Sequence, residues 1–401
     1  MSVTSRDPMT PAERRAGMSL AAIFALRMLG LFLILPVFAV HAEGIPGGDN
    51  LTLVGLAIGA YGLTQACLQI AYGAASDRFG RKPVIVFGLV LFVVGSVVAA
   101  LADGIHWVIA GRVLQGAGAI SAAVTALAAD LTRDQHRTKV MAMIGSSIGL
   151  VFALSMVAAP LLYAAIGMAG IFWLTAALAC AAIGVVLWVV PEAPPVPRAN
   201  GGRFIDVLRD GQLMRLNFGV FALHLIQTTM WVMVPAGLVA GGLPMPEHWK
   251  VYLPAVLLSF VVMVPAVIVA ERRNLMKPVF NAAVCLLAVV QFGLWLFGEG
   301  LIPLALLLTM FFVAFNVLEA TQPSWISRIA PAYAKGTALG VYNTLQSLGL
   351  FLGGLLGGWL GQRFGPGAVS LVCGALALAW LLVSSGVNPP PVRAVPAPEK
   401  A

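Results

Sequence analysis

Long apolar runs alternate with short polar connections along nearly the whole chain. A run needs about 20 residues to cross a bilayer. Runs of that kind fall at 17–41, 51–73, 83–103, 105–129, 139–163, 169–190, 214–240, 250–270, 278–298, 301–326, 337–360 and 367–386. Lipid offers the backbone no hydrogen-bond partners, so each run is expected to be a helix. The pattern predicts an all-α integral membrane protein with twelve transmembrane helices. The first run holds Arg27, exceeds a signal-peptide core in length and lacks an A-x-A site before HAEG, so it reads as a span.

The charges sharpen this picture. The chain has 401 residues, a mean hydropathy of +0.94 and a net charge of +8. Most Lys and Arg sit in every second connection: Arg14 and Arg15 before the first span, Arg78, Arg81 and Lys82, then Arg133, Arg137 and Lys139, Arg198 to Arg215, Arg272, Arg273 and Lys277, and Arg328 with Lys335. Lys250 and Arg363 stand alone in the other connections. By the positive-inside rule both termini are expected in the cytoplasm. Because the excess charge follows topology, no nucleic-acid partner is expected. Cys67, Cys180, Cys285 and Cys373 are scattered through apolar runs with no ligand spacing, so neither a disulfide framework, a metal site nor a cofactor is expected.

Five segments are expected: a tail at 1–16, six helices at 17–190, a linker at 191–213, six helices at 214–387 and a disordered Pro-rich tail at 388–401. Phe204, Ile205, Val207 and Leu208, set among charges in the linker, predict a short helix lying on the membrane face. The halves repeat. FALR at 24–27 matches FALH at 221–224, Pro36 matches Pro235, and Asp77 with Lys82-Pro83 matches Glu271 with Lys277-Pro278. Two pseudo-symmetric bundles with a site between them are therefore expected.

GAASDRFGRK at 73–82 resembles the G-x-x-x-D-R-x-G-R-K loop of the major facilitator superfamily, at the place where that family has it. GRVLQGAG, with Arg112, Gln115 and Gly116, resembles its helix-4 motif. RMLGLFLILPVF, YGLTQACLQI, DLTRDQHRTK, EHWKVYL and FFVAFNVLEA are similar to the YajR-like branch of drug–proton antiporter-like transporters. The resemblance implies a secondary transporter of the bacterial inner membrane. It also implies a conformational latch: Gly73, Asp77, Arg78, Gly80, Arg81 and Asp130, with Asp77 meeting the N-terminus of helix 11 when the cytoplasmic side closes. The branch can carry a further C-terminal domain, and the chain is expected to lack it. The glycine-rich stretch of family antiporters in helix 5 is replaced by AAPLLYAAIG, leaving Gly145 and Gly149 to supply close packing there.

Charge at membrane depth is costly and marks candidate chemistry. Glu319 and His224 are candidates for the coupled proton, with Arg27 and Arg112 as further charge-coupling candidates. The bland alternative is a static Arg27–Glu319 pair, with His224 bonded to a backbone carbonyl. Tyr61, Gln65 and Gln69 share a helix face. With Gln115, Gln227, Trp231, Asn316, Tyr342, Asn343 and Gln346 they are the candidates for a polar path. GSSIG at 145–149 lies inside a span, where no nucleophile elbow forms. No phosphate-binding GxxxxGK[ST] is present, so ATP is not the direct energy source. The expected function is alternating-access export of a small amphipathic or cationic compound in exchange for protons, by a monomer. Symport or facilitated passage of a metabolite, and a transport-inactive receptor or scaffold, are the alternatives. No nucleophile–base or metal constellation points to an enzyme.

Overall fold

The computed structural model describes residues 8–192, 204–331 and 334–388. The parts of the tails and linker outside those ranges, and the Phe204 side chain, lie outside the described residues. Eight helices cross as separate elements: α1 (Pro11–Ala42, interrupted at Leu33 and Ile34), α2 (Leu51–Phe79), α3 (Arg81–Ala100), α4 (Ile105–Asp130, interrupted near Gly118), α7 (Gly211–Ala240), α8 (Trp249–Arg272), α9 (Met276–Phe297) and α10 (Leu301–Ile329). Two further stretches, Asp134–Gly184 and Lys335–Ser385, run 51 residues each. At 1.5 Å per residue each measures about 76 Å, more than twice the thickness of a hydrocarbon core. Each breaks once, at Gly167 (φ 67°, ψ −177°) and at Gly365 (φ 80°, ψ 173°). Only glycine adopts that region without strain. The breaks give α5 (134–166), α6 (168–189), α11 (335–364) and α12 (366–385), and so twelve crossings among the described residues.

The two breaks lie 198 positions apart, the offset of the sequence repeat. Both fall in the gaps that the apolar runs leave, at 164–168 and 361–366. The termini of the described chain share one side, called here the terminal face; the other is the distal face.

Several helices run past their apolar runs. α2 does not stop at 73: Gly73 to Asp77 are helical, and the connection to α3 is Gly80 alone, at φ 95°. Polar residues at a membrane surface can be solvated while still helical, so hydropathy ends a span before the helix does. Helix starts are capped locally. Thr10 and Glu13 form a reciprocal capping box ahead of Pro11, Asn50 accepts from the amides of Thr52 and Leu53, and Asp210 accepts from those of Gln212 and Leu213. A short helix, Phe204–Arg209, precedes α7, with Val207 buried in the core of the second half and Ile205 and Leu208 outward.

Candidate functional site

The halves meet along a seam whose character changes from end to end. In its distal part α2 lies directly on α11 through glycines. A Cβ at Gly354 would stand 2.3 Å from the Gly55 carbonyl oxygen, and one at Gly62 would stand 2.4 Å from that of Ser347. Gly349 and Gly353 make the same close approach to α7, at Phe221 and Leu225. The run GLFLGGLLGGWLG therefore lets α11 wedge between α2 and α7. Backbones this close gain dispersion contacts that side chains would prevent. At the distal tip the Leu51 amide donates to Gln362 Oε1 (2.6 Å), so a side chain from α11 caps the first turn of α2.

The seam's terminal part is open. A Cβ at Gly336 or Gly340 on α11, or at Gly145 or Gly149 on α5, would meet no atom within 4 Å. Gly145 and Gly149 thus do not supply the close packing expected of them, because no surface stands against them in this structure. Aromatic rings floor the opening: Phe152 of α5 lies edge-on to Phe32 (5.2 Å) and Phe312 (6.1 Å), and Trp231 packs against both Phe152 and Phe312.

Next to this floor the second half carries a titratable cluster. His224 is buried, with Nδ1 3.0 Å from the Val220 carbonyl and Nε2 2.7 Å from Gln346 Nε2. Glu319 Oε2 lies 3.6 Å from His224 Nε2. The Glu319 side chain is 37% exposed, but that oxygen is covered and has no hydrogen-bond partner. The Tyr342 hydroxyl is likewise buried without one. Asn316 donates to Ser259 Oγ (2.7 Å) and, with Asn343 and Gln346, is partly exposed. Three helices, α7, α10 and α11, converge here.

The first half holds its two intramembrane arginines differently. Arg27, fully buried, donates to Tyr61 Oη (2.5 Å), Gln65 Oε1 (3.3 Å) and the Gly118 carbonyl (3.0 Å) at the break in α4. Arg112 donates to Gln115 Oε1 (2.7 Å) and to the carbonyls of Ala57 and Ile58. Both guanidiniums lie over the Tyr61 ring, at 5.6 and 5.3 Å. Neither has a carboxylate partner among the described residues, so the static Arg27–Glu319 pair does not form. Gln65 also donates to Ser347 Oγ (2.9 Å), which carries the Arg27 network across the seam to α11. Tyr61, Gln65, Gln69, Gln115, Gln227 and Trp231 are all buried. In this state the exposed polar candidates are those of α10 and α11.

On the terminal face Arg81 pairs with Asp77, donates to Asp130 Oδ2 through Nε (2.8 Å) and to Ser76 Oγ (2.7 Å). Asp77 is 58% exposed, and the partner it holds is Arg81 rather than α11. Arg78 lies over the Phe79 ring, and a Cβ at Gly73 would meet Ala122 at 3.7 Å, an ordinary contact.

The Major Facilitator Superfamily profile matches residues 20–354. The chain belongs to that superfamily. It is 47% identical over 388 residues to the inner membrane transport protein YajR of Escherichia coli, covering 96% of this chain and 85% of that one. It is 27% identical to the multidrug resistance protein MdtH of Yersinia pestis, over 84% of each. Its fold is similar to those of the human organic anion transporter MFSD10 (TM-score 0.70, 19% identity, 94% of this chain and all of that one) and the nucleoside transporter NupG (0.72, 13%, 92% and 99%). The chain is a YajR-like superfamily transporter, a membrane protein that binds a small-molecule substrate, and not an enzyme.

Within this superfamily fold, three fastenings escape sequence reasoning. Glu13 accepts from Arg133 Nε (2.8 Å), Nη2 (2.9 Å) and backbone amide (3.0 Å), tying the start of α1 to the α4–α5 connection. Lys82 reaches Glu192 (2.7 Å), and Gln362 reaches α2. Their signals are a capping box with an acid to spare, an acid at the start of the linker and a Gln at a helix end; none names its distant partner.

Proposed function

We propose that the chain exports small amphipathic or cationic compounds in exchange for protons, by alternating access, in a bacterial inner membrane with both termini in the cytoplasm. On that orientation the state described here faces inward. The latch residues Asp77, Arg81 and Asp130 stand ready on the open side, and Asp77 engages α11 when that side closes.

One observation carries the proton coupling: His224 Nε2 stands between the Gln346 amide and the Glu319 carboxyl. Neutral His224 donates from Nδ1 to the Val220 carbonyl, so Nε2 accepts from Gln346. Protonation turns Nε2 into a donor, which must be met by Glu319 or by a reversed Gln346 amide. One proton thereby changes how α7, α10 and α11 hold each other, and α11 is the helix that forms the seam. Similarity to YajR and to a protein named for multidrug resistance supports the export reading.

Glu319→Gln keeps the size of the side chain and removes its titration. In proteoliposomes with ethidium as the lipophilic cation, the variant should insert and bind dye but lose dye-induced proton flux. Normal flux would sink the assignment of Glu319 and leave His224 to be tested by His224→Gln.

A further inference from the structure

Several cations of the terminal face have acids to hold: Arg81 holds Asp77 and Asp130, Lys82 holds Glu192, and Arg133 holds Glu13. Arg14 and Arg15 have no carboxylate partner among the described residues. Both are exposed on the first turns of α1, beside a groove of about 410 Å³ between α1 and α6. Its floor is Met18, Ala22, Val185 and Val189. The last turn of α6, Val185–Val189, is a π-helix, and Arg15 Nε donates to the Val189 carbonyl (3.0 Å). That bond fixes the Arg15 stem across the groove and leaves its terminal nitrogens for another acceptor. Trp188, 80% exposed, marks the same depth as one where an aromatic ring sits between headgroups and acyl chains.

We propose that this groove binds an anionic glycerophospholipid, its phosphate on Arg14 and Arg15 and the upper part of one acyl chain on Met18, Ala22, Val185 and Val189. Guanidiniums suit phosphate because their N–H groups form paired, charge-assisted hydrogen bonds. A free anion would meet the charges and leave the apolar floor uncovered. A zwitterionic lipid would cover the floor with no net charge to offer the arginines. Glu13, the nearest acid in sequence, does not cancel them, because its carboxylate is buried against Arg133 and the Thr10 amide.

The test is native mass spectrometry of the full chain with phosphatidylglycerol and phosphatidylcholine of identical acyl chains. Two arginines near a membrane surface should favour the anionic lipid by about thirtyfold. Arg14→Gln/Arg15→Gln should abolish that preference, and an unchanged thermal midpoint would show that the fold is intact. Ala22→Trp fills the floor while keeping both charges, and should also lower phosphatidylglycerol retention. Preference persisting in the double variant would overturn the proposal, as would wild-type retention in Ala22→Trp or displacement of the lipid by inorganic phosphate. It also falls if preference appears only on deleting residues 1–7, since that segment would then be the occupant.

Discussion

The two ends of the α2–α11 seam are built from similar parts and do opposite things. At the distal end, glycines on both helices bring backbones into contact and Gln362 caps the first turn of α2. At the terminal end, glycines on α11 face open space, and Asp77 at the end of α2 points to its own neighbour Arg81. The comparison shows what a closed end requires: small residues for approach, plus one polar side chain that satisfies the start of the facing helix. The terminal end carries both features unengaged. That is the arrangement expected if the ends close in turn.

The sharpest way to break the comparison is to spoil the closed end. Gly354→Ala places a methyl group 2.3 Å from the Gly55 carbonyl oxygen and 2.9 Å from the Gly59 amide nitrogen, so the helices must part. Overpacking of this kind costs about 1–3 kcal/mol. Spin labels at Asp49 and Arg363 should report a longer distal distance; an unchanged one would mean the glycines do not hold this end.

Asp77→Asn addresses the open end. The charged contact with the first turn of α11 should contribute about 1–2 kcal/mol when that end closes, a shift of roughly five- to thirty-fold in the two populations. The variant should keep the terminal face open and slow transport, with folding little changed. Arg81→Ala should act in the same direction through the loss of the side chain that orients Asp77. Normal transport in both variants would reduce this connection to a topology signal.

Gln362→Ala removes the distal cap and should cost about 1 kcal/mol of closure, read as a modest broadening of the Asp49–Arg363 distances. Lys82→Ala breaks an ion pair whose acid, Glu192, is mostly exposed. It should change stability by less than about 0.5 kcal/mol and leave both distances alone; a larger effect on transport would place Lys82 in the latch.

How far the sequence anticipates this differs between the two ends. The spans, the repeat and the charged cluster around Asp77 are legible because hydropathy and motif spacing are local properties. The Arg81–Asp130 pair is legible as a possibility, since both sit at connections on one face. The distal seam is harder. GLFLGGLLGGWLG is visibly glycine-rich, but glycine has no side chain to name a partner, and which helix it admits depends on tertiary packing. Arg27 shows the same limit: its depth predicts cost, yet its partners come from α2 and the break in α4, 34 to 94 residues away. Gln65 reads as a wall of the polar path from its spacing with Tyr61 and Gln69, but that spacing does not name Ser347, to which it donates across the seam. The turns at Gly167 and Gly365 are legible as the gaps between apolar runs, at 164–168 and 361–366, whereas the backbone conformation of the two glycines is not.

The central claim is that the two ends close alternately, under control of the Glu319–His224 cluster. The most direct measurement is a pair of distance distributions by pulsed electron resonance, one between labels at Asp49 and Arg363, the other at Arg78 and Lys335, in wild type and in Glu319→Gln across a pH series. The account predicts that the second distance shortens as the first lengthens in the wild type, with the balance moving with pH, and that Glu319→Gln loses most of that movement. Two distances that vary independently, or that shift with pH equally in both proteins, would contradict it.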